Sequence, residues 1–312
     1  MHLFITGISG LLGLNTALQL RERFQTSGCY HSHRVALDGV RCLEVDVRSE
    51  GALEEALRDS SPDVILNAVG LTNVEACEAN PELAYELNTT AARDIARAAT
   101  SLGAKLVHVS TDHLFDGADS RMTEDHSVSP LNSYAKSKLD AEGEVLNECP
   151  DALVLRTNFF GWGTPIRASL SDWILSALKA QTELRMFSDV FFSPIVINDL
   201  VDLIIALVEK NASGVFHVAG ADRLSKHAFA VKLAEVFGYS DQGIRSVSLD
   251  SVPELTQRPR DMSLNCAKAE AFLGMRMPSV VESIRRLLRL REHSWDKRLY
   301  EAFATGSTPG EQ

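Results

Sequence analysis

The chain has 312 residues, 45% apolar and 23% charged, which is enough to bury a large core and ordinary for a globular protein. A formal net charge of −11 argues against nucleic acid as a partner, and no apolar run is long enough to predict a membrane span. The five cysteines are scattered without C-x-x-C spacing, and no basic leader with a cleavage site opens the chain, so it reads as cytoplasmic with buried free thiols.

Leu3 to Ile5 is a short apolar run that predicts a buried strand. It breaks at Thr6-Gly7, and glycines recur at Gly10 and Gly13 as a helical pattern begins over Leu11 to Phe24. Strand, glycine turn and helix is the context of a dinucleotide-binding loop, here spaced G-x-x-G-x-x-G. In that reading Gly7 makes the tight turn, Gly10 lets backbone approach a pyrophosphate, and Gly13 lets the helix pack on the strand. The helix N-terminus would add free N–H groups and a positive dipole end.

Further strands are predicted near Cys29 to His33, at Cys42 to Val45 before Asp46, at Val64 to Asn67, at Lys105 to Ser110 and at Ala152 to Arg156. Helices are predicted at Gly51 to Arg58, at Pro81 to Leu102 and at Leu131 to Leu146. The alternation predicts an α/β fold, a Rossmann-type doubly wound parallel sheet. Beyond about residue 160 the rhythm becomes irregular, with helices near 168–180, 198–210, 225–237 and 278–291. The expected organisation is an NAD(P)-binding domain over 1–160, with 190–218 returning to it. A smaller, partly interleaved substrate lobe takes most of 161–292, and 293–312 is a tail, frayed from Gly306 to Gln312.

Tyr134 and Lys138 stand four apart on a predicted helix and share a face. An ammonium close to a phenol favours the phenolate, so the pair suits proton transfer coupled to hydride transfer at a carbonyl. The preceding strand ends in Ser110-Thr111-Asp112, where a hydroxyl would face the ligand crevice and polarise a carbonyl oxygen. The loop His31-Ser32-His33-Arg34 carries no acid before Asp38, which favours NADP(H) over NAD(H), with Ser32 and Arg34 as contacts. NAD(H) remains open. The guanidiniums of Arg258 and Arg260 would suit a nucleotide diphosphate. No metal site is expected.

These segments together resemble the extended short-chain dehydrogenase/reductases, and most closely the dTDP-4-dehydrorhamnose reductase family. The resemblance is carried by Thr6-Gly7-x-x-Gly10-x-x-Gly13, Asp46-Val47, Asn67-Ala68-Val69-Gly70, Ser110-Thr111-Asp112-His113, Ser133-Tyr134-x-x-x-Lys138, Leu155-Arg156-Thr157, Ser193-Pro194 and Arg258-Pro259, in the expected order. It implies a catalytic triad of Thr111, Tyr134 and Lys138, in which Tyr134 protonates the sugar keto oxygen. Lys138 would lower the tyrosine's pKa and hold the ribose, and Thr111, or Ser110 in its place, would orient the carbonyl. It implies cofactor contacts at Gly7, Ser9, Gly10, Leu11, Leu12, Asp46, Val47, Asn67, Ala68 and Val69. Asn88 would either support the lysine through water or pack the helix.

Substrate-side candidates are Ser110, Asp112, His113, Phe159, Trp162 and Arg258. The chain departs from the family at His113, where tyrosine is usual, and at Phe159, with Trp162 nearby, where tryptophan is usual. The implied function is NADP(H)-dependent reduction of a nucleotide-activated 4-keto-6-deoxysugar, the nucleotide-sugar being the partner. Alternatives are an epimerase or dehydratase on the same fold, or a non-catalytic subunit like the regulatory subunit of methionine adenosyltransferase. His113 stands where the dehydratases carry glutamate, and the Tyr/Lys pair is present. Superfamily members often pair, which leaves a homodimer open.

Overall fold

The computed structural model describes residues 1–49 and 51–304. Its first half runs β1 (His2–Thr6), α1 (Leu11–Leu20), β2 (Gln25–Tyr30), β3 (Val40–Glu44), α2 (Ala52–Ser60), β4 (Val64–Asn67), α3 (Val74–Ala79), α4 (Pro81–Tyr85), α5 (Ala91–Leu102), β5 (Lys105–Val109), α6 (Ser133–Glu148) and β6 (Leu153–Arg156). The second half runs β7 (Phe159–Phe160), α7 (Leu170–Ala180), β8 (Leu184–Phe187), β9 (Phe191–Phe192), β10 (Ile195–Val196), α8 (Ile197–Glu209), β11 (Gly214–His217), β12 (Leu224–Ser225), α9 (Lys226–Phe237), β13 (Ile244–Val247), α10 (Ala267–Leu273), α11 (Val280–Glu292) and α12 (Trp295–Ala304).

Seven strands form one parallel sheet in the order β11-β6-β5-β4-β1-β2-β3, the doubly wound architecture that the alternation predicts. Both faces are covered. Successive strand residues point to opposite faces, and in β1 Leu3 and Ile5 join one buried cluster while Phe4 joins another. β11 returns late to extend this sheet beside β6, and three two-stranded ribbons, β7·β10, β9·β12 and β8·β13, lie outside it.

Strand order reverses at β1 and β4, so a crevice opens at their carboxyl ends. The two ends are level, Thr6 opposite Asn67, and the Thr6 hydroxyl donates to Asn67 Oδ1 at 2.9 Å.

Several elements differ from expectation. β2 begins at Gln25 and ends at Tyr30; its buried Thr26 and Ser27 gave no apolar signal, and His31 to His33 fall in the loop beyond it. α1 stops at Leu20. The helix expected over Pro81 to Leu102 contains a π turn at Glu86–Thr90 that turns Asn88 into the interior. The stretch read as a tail opens instead with α12. Its Trp295, Leu299 and Ala302, at helical spacing, are buried, and Trp295 Nε1 donates to Asn15 Oδ1 of α1 at 2.8 Å. Residues 305–312, including the expected frayed end, lie outside the described residues.

Candidate active site

Gly7 leaves β1 with φ +73°, and a side chain there would meet the Ala68 backbone at 3.2 Å. A Cβ at Gly13 would come within 2.3 Å of the Gly7 carbonyl oxygen, so only glycine lets α1 sit this close to the turn. No side chain caps α1 at Gly10, and Leu11 and Leu12 of its first turn line the cleft. An uncapped helix N-terminus over a crevice is a seat for phosphate.

The crevice has two chambers that share Gly10, Ala68, Val69 and Gly70. The first is a cavity of about 400 Å³ lined by Gly7, Ser9, Ser32, Asp46 and Val47, with His31, His33 and Arg48 also on its wall. Arg34 is exposed and does not line it. Arg48 does, and grips Asp46 through Nε at 2.9 Å and Nη2 at 2.8 Å. The Arg48 guanidinium holds the Asp46 carboxyl down at about 2, so the one acid on this wall carries a bound cation.

The second chamber, about 350 Å³, is lined by Ser110, Thr111, Asp112, His113, Tyr134, Lys138 and Phe159. The loop end of β5 brings the first four. α6 brings the tyrosine and lysine, and its start is fixed: Asn132 Oδ1 accepts from Ala135 N at 2.9 Å, and Asn132 Nδ2 donates to the Gln257 carbonyl at 2.9 Å. One turn of helix then separates Tyr134 from Lys138 along one face.

Burial pushes the Tyr134 phenol up to about 12, against a hydrogen bond with Thr111 that pulls it down. Burial holds Lys138 down to about 8, with the Glu142 carboxylate pulling the other way. Lys138 Nζ donates to the Val109 carbonyl at 2.7 Å and stands 3.5 Å from His108 Nε2. Asp112 is pushed up to about 6 by burial, opposed by Lys226 and by the Asn158 amide at 2.6 Å. Thr111 Oγ1 accepts from His113 N at 3.2 Å. Ser110 Oγ, His113 Nδ1 and Thr157 Oγ1 are buried, unpartnered atoms on residues that line this chamber. Burying polar atoms without partners is costly, and a polar ligand in the chamber would satisfy them.

Other candidates fall outside the cleft. Trp162 is packed in the core, donating Nε1 to the Leu287 carbonyl at 3.0 Å and stacking edge-on with Phe237. Arg258 is paired with Glu75, and Arg260 with Asp189 and Asp250; neither lines either chamber. None of the three side chains lines the chambers where the sequence reading expects them; the arginines tie loops together, and the Arg258 charge still reaches His113. Asn67 is buried under the crevice floor, its Oδ1 accepting from Thr6 Oγ1 and Val69 N. Asn88 bonds both backbone polar groups of Leu71, at 2.7 and 3.0 Å, and Ser137 Oγ at 2.9 Å, direct contacts that tie the π turn to α6.

Four residues escaped the sequence reading: Arg48, His108, Lys226 and Arg167. Arg167, on an irregular loop before α7, lines the second chamber and donates to Thr72 Oγ1 across it at 2.6 Å. Its one available signal was a cation beside Gly161-Trp-Gly163-Thr-Pro165, a segment without periodicity.

Residues 1–292 match the family described as RmlD substrate binding domain. A probable low-salt glycan biosynthesis reductase of Haloferax volcanii is 31% identical over 295 residues, covering 92% of this chain and 97% of its own length. The methionine adenosyltransferase 2 subunit beta of Xenopus laevis is 30% identical over 286 residues, 88% of this chain and 83% of that one. The solved structure of a hypothetical dTDP-4-dehydrorhamnose reductase from Sulfolobus tokodaii is 32% identical and superposes with a TM-score of 0.79 over 89% of this chain and 97% of that one. With the glycine turn, the Thr/Tyr/Lys cluster and the switch-point crevice in place, the chain belongs to the RmlD substrate-binding-domain family of dTDP-4-dehydrorhamnose reductases, among the extended short-chain dehydrogenase/reductases.

Proposed function

We propose that this protein is an NADP(H)-dependent reductase of a nucleotide-activated 4-keto-6-deoxysugar. The observation that carries the reading is that Thr111, Tyr134 and Lys138 line one chamber, with a hydrogen bond between Tyr134 and Thr111. A protonated phenol is the form a reduction needs. The dinucleotide fits the first chamber: the Gly7 turn has no room for a side chain, the α1 N-terminus is open, and Ser32, His33 and the Arg48–Asp46 pair line the wall with no unpaired acid among them.

The nicotinamide, when bound, supplies the hydride. Thr111 donates a hydrogen bond to the keto oxygen, Tyr134 hands its proton to the same oxygen as charge develops, and the Lys138 ammonium stabilises the phenolate that is left. Ser110, His113 and Thr157 hold the sugar hydroxyls through their unpartnered atoms.

The test is NADPH and NADH oxidation with dTDP-4-keto-6-deoxyglucose, comparing wild type with Tyr134→Phe. Turnover that falls by roughly 10³ in the variant, with NADPH binding intact, is expected. Tight dinucleotide binding without turnover of any keto-sugar would favour the second reading, a partner-binding subunit, which the match to the methionine adenosyltransferase beta subunit supports. The cleft's Tyr134 and Lys138 weigh toward catalysis.

A further inference from the structure

His108 is wholly buried in β5 and no step above uses it. Its environment nevertheless dictates which ring nitrogen carries the proton. The backbone N–H of Val69 can only donate, and it reaches Asn67 Oδ1 at 3.2 Å, so the Asn67 amide is orientated without ambiguity. The Thr6 hydroxyl donates to the same oxygen. Asn67 Nδ2 must then be the atom facing His108 Nδ1, 3.0 Å away, and an NH₂ group can only donate. His108 Nδ1 is therefore the bare, accepting nitrogen, and in the neutral ring the proton lies on Nε2. That nitrogen faces Lys138 Nζ at 3.5 Å.

We infer that His108 is a positioning residue for Lys138: its tautomer, dictated by Asn67, turns an N–H rather than a lone pair toward the amine and so lowers the pH at which the amine gives up its charge. The inference rests on Lys138 serving the reaction as proposed above. An ammonium facing an N–H dipole gains no acceptor, whereas a neutral amine accepts from it. The Val109 carbonyl supplies an acceptor for the charged form, and burial pushes both partners the same way: His108 well below its ordinary range and Lys138 down to about 8.

Beside this contact, burial and the Glu142 carboxylate act on Lys138, in opposite directions. On its own helix, Glu142 favours the ammonium and shares its charge with Arg156 of β6 through three contacts of 2.7 to 3.2 Å, and Tyr134 is protonated. From the π turn, Asn88 and Thr89 bond Ser137. From α3, Glu78 accepts from Ser133 N, and the Cys77 thiol donates to the Leu71 carbonyl. Glu82 of α4 and Asp94 and Arg97 of α5 are exposed, and Arg93 pairs with Asp94. Val69 lines both chambers, so a cofactor resting on it touches the first bond of the series Val69–Asn67–His108–Lys138.

The experiment is ¹⁵N-imidazole NMR of the whole protein, with the His108 signal assigned through His108→Gln. A bare Nδ1 and protonated Nε2 are expected from about pH 6 to 9. Asn67→Asp replaces the donor with an acceptor, so the proton should move to Nδ1, leaving the Nε2 lone pair for the ammonium. The Lys138 titration, followed by ¹³Cε NMR and assigned through Lys138→Met, should rise by about one pH unit or more. A protonated Nδ1 in the wild type overturns the inference, whether or not Asn67→Asp folds. So does a Lys138 rise that is just as large in Asn67→Asp/His108→Phe, where the new carboxylate remains but no tautomer is left to reverse, the result a purely structural histidine would give. The alkaline limb of kcat/KM should follow the lysine. If no keto-sugar is turned over while both NMR results hold, the relay stands and the reductase reading fails.

Discussion

Arg167 and Lys138 are the two cations on the wall of the second chamber, and they are differently placed. Lys138 is buried against β5, whereas Arg167 is exposed and, among the described residues, its guanidinium bonds a neutral threonine hydroxyl. A guanidinium with neutral company is free to exchange that partner for a diphosphate, gaining charge-assisted bonds. Arg167→Ala should raise KM for a nucleotide-sugar roughly tenfold while kcat for bound substrate changes little, because the bond is equally present before and during reaction. Steady-state kinetics in both parameters decides this, and a fall confined to kcat would count against the role. Arg258 and Arg260 should show no such effect. Their partners, 183 residues away for Arg258 and 71 and 10 away for Arg260, already satisfy them.

At the level of elements, the turn from β1 into α1 leaves least tolerance. A methyl at position 13 would collide with main chain rather than with a side chain that could swing aside. Gly13→Ala should therefore push α1 off the sheet and weaken NADPH binding at least about tenfold, measurable by calorimetry. This turn was legible in the sequence because its constraint is local: three glycines, one strand, one helix. So was the Tyr134/Lys138 pair, which needs only helical period. What stayed hidden depends on distant partners or on loop direction. Whether an arginine meets ligand or a carboxylate is decided by chain far away in sequence. Whether Arg34 or Arg48 reaches the cleft depends on where two loops turn. Phe159 and Trp162 were read as neighbours on the substrate, but only Phe159 faces the cleft while Trp162 packs inward. α12 had a readable pattern, Trp295, Leu299 and Ala302, which the short polar stretch after it obscured. Leu299 is fully buried, and Leu299→Ala should cost about 3 kcal/mol in denaturant unfolding.

For the molecule as a whole, buried titratable groups set the response to acid. Burial pushes His113 and His217 down to about 3 and His108 well below 6.5, so all three are neutral in the fold and charge on unfolding. A histidine with a depressed folded value binds more protons when unfolded, so its stability contribution is lost as pH falls below about 6.5. Asp112, raised to about 6, acts oppositely: its contribution is present below the ordinary carboxylate range and is lost as pH rises through 6. Three imidazoles outweigh the two carboxyls that burial raises, Asp112 and Asp172, leaving a net uptake of protons on unfolding between pH 4 and 6. Melting temperature should fall steadily over that range. A flat profile there would mean the histidines are hydrated in the native state. Replacing His217 by a neutral isostere should blunt the slope.

The docking of α12 also bears on how the protein is made. α1 leaves the ribosome well before the elements that cover it: α8, through Gln19 with Asn198 and Asp202, and Trp295, 280 residues after the asparagine it bonds. β11, the outer strand beside β6, likewise arrives some sixty residues later than its neighbour. Until those elements emerge, the nascent chain carries an uncovered apolar helix and an open sheet edge, the surfaces on which chains aggregate. Slowing translation, which rescues proteins that fold domain by domain, should do little for this one; a chaperone that shields α1 until α12 emerges should raise its yield.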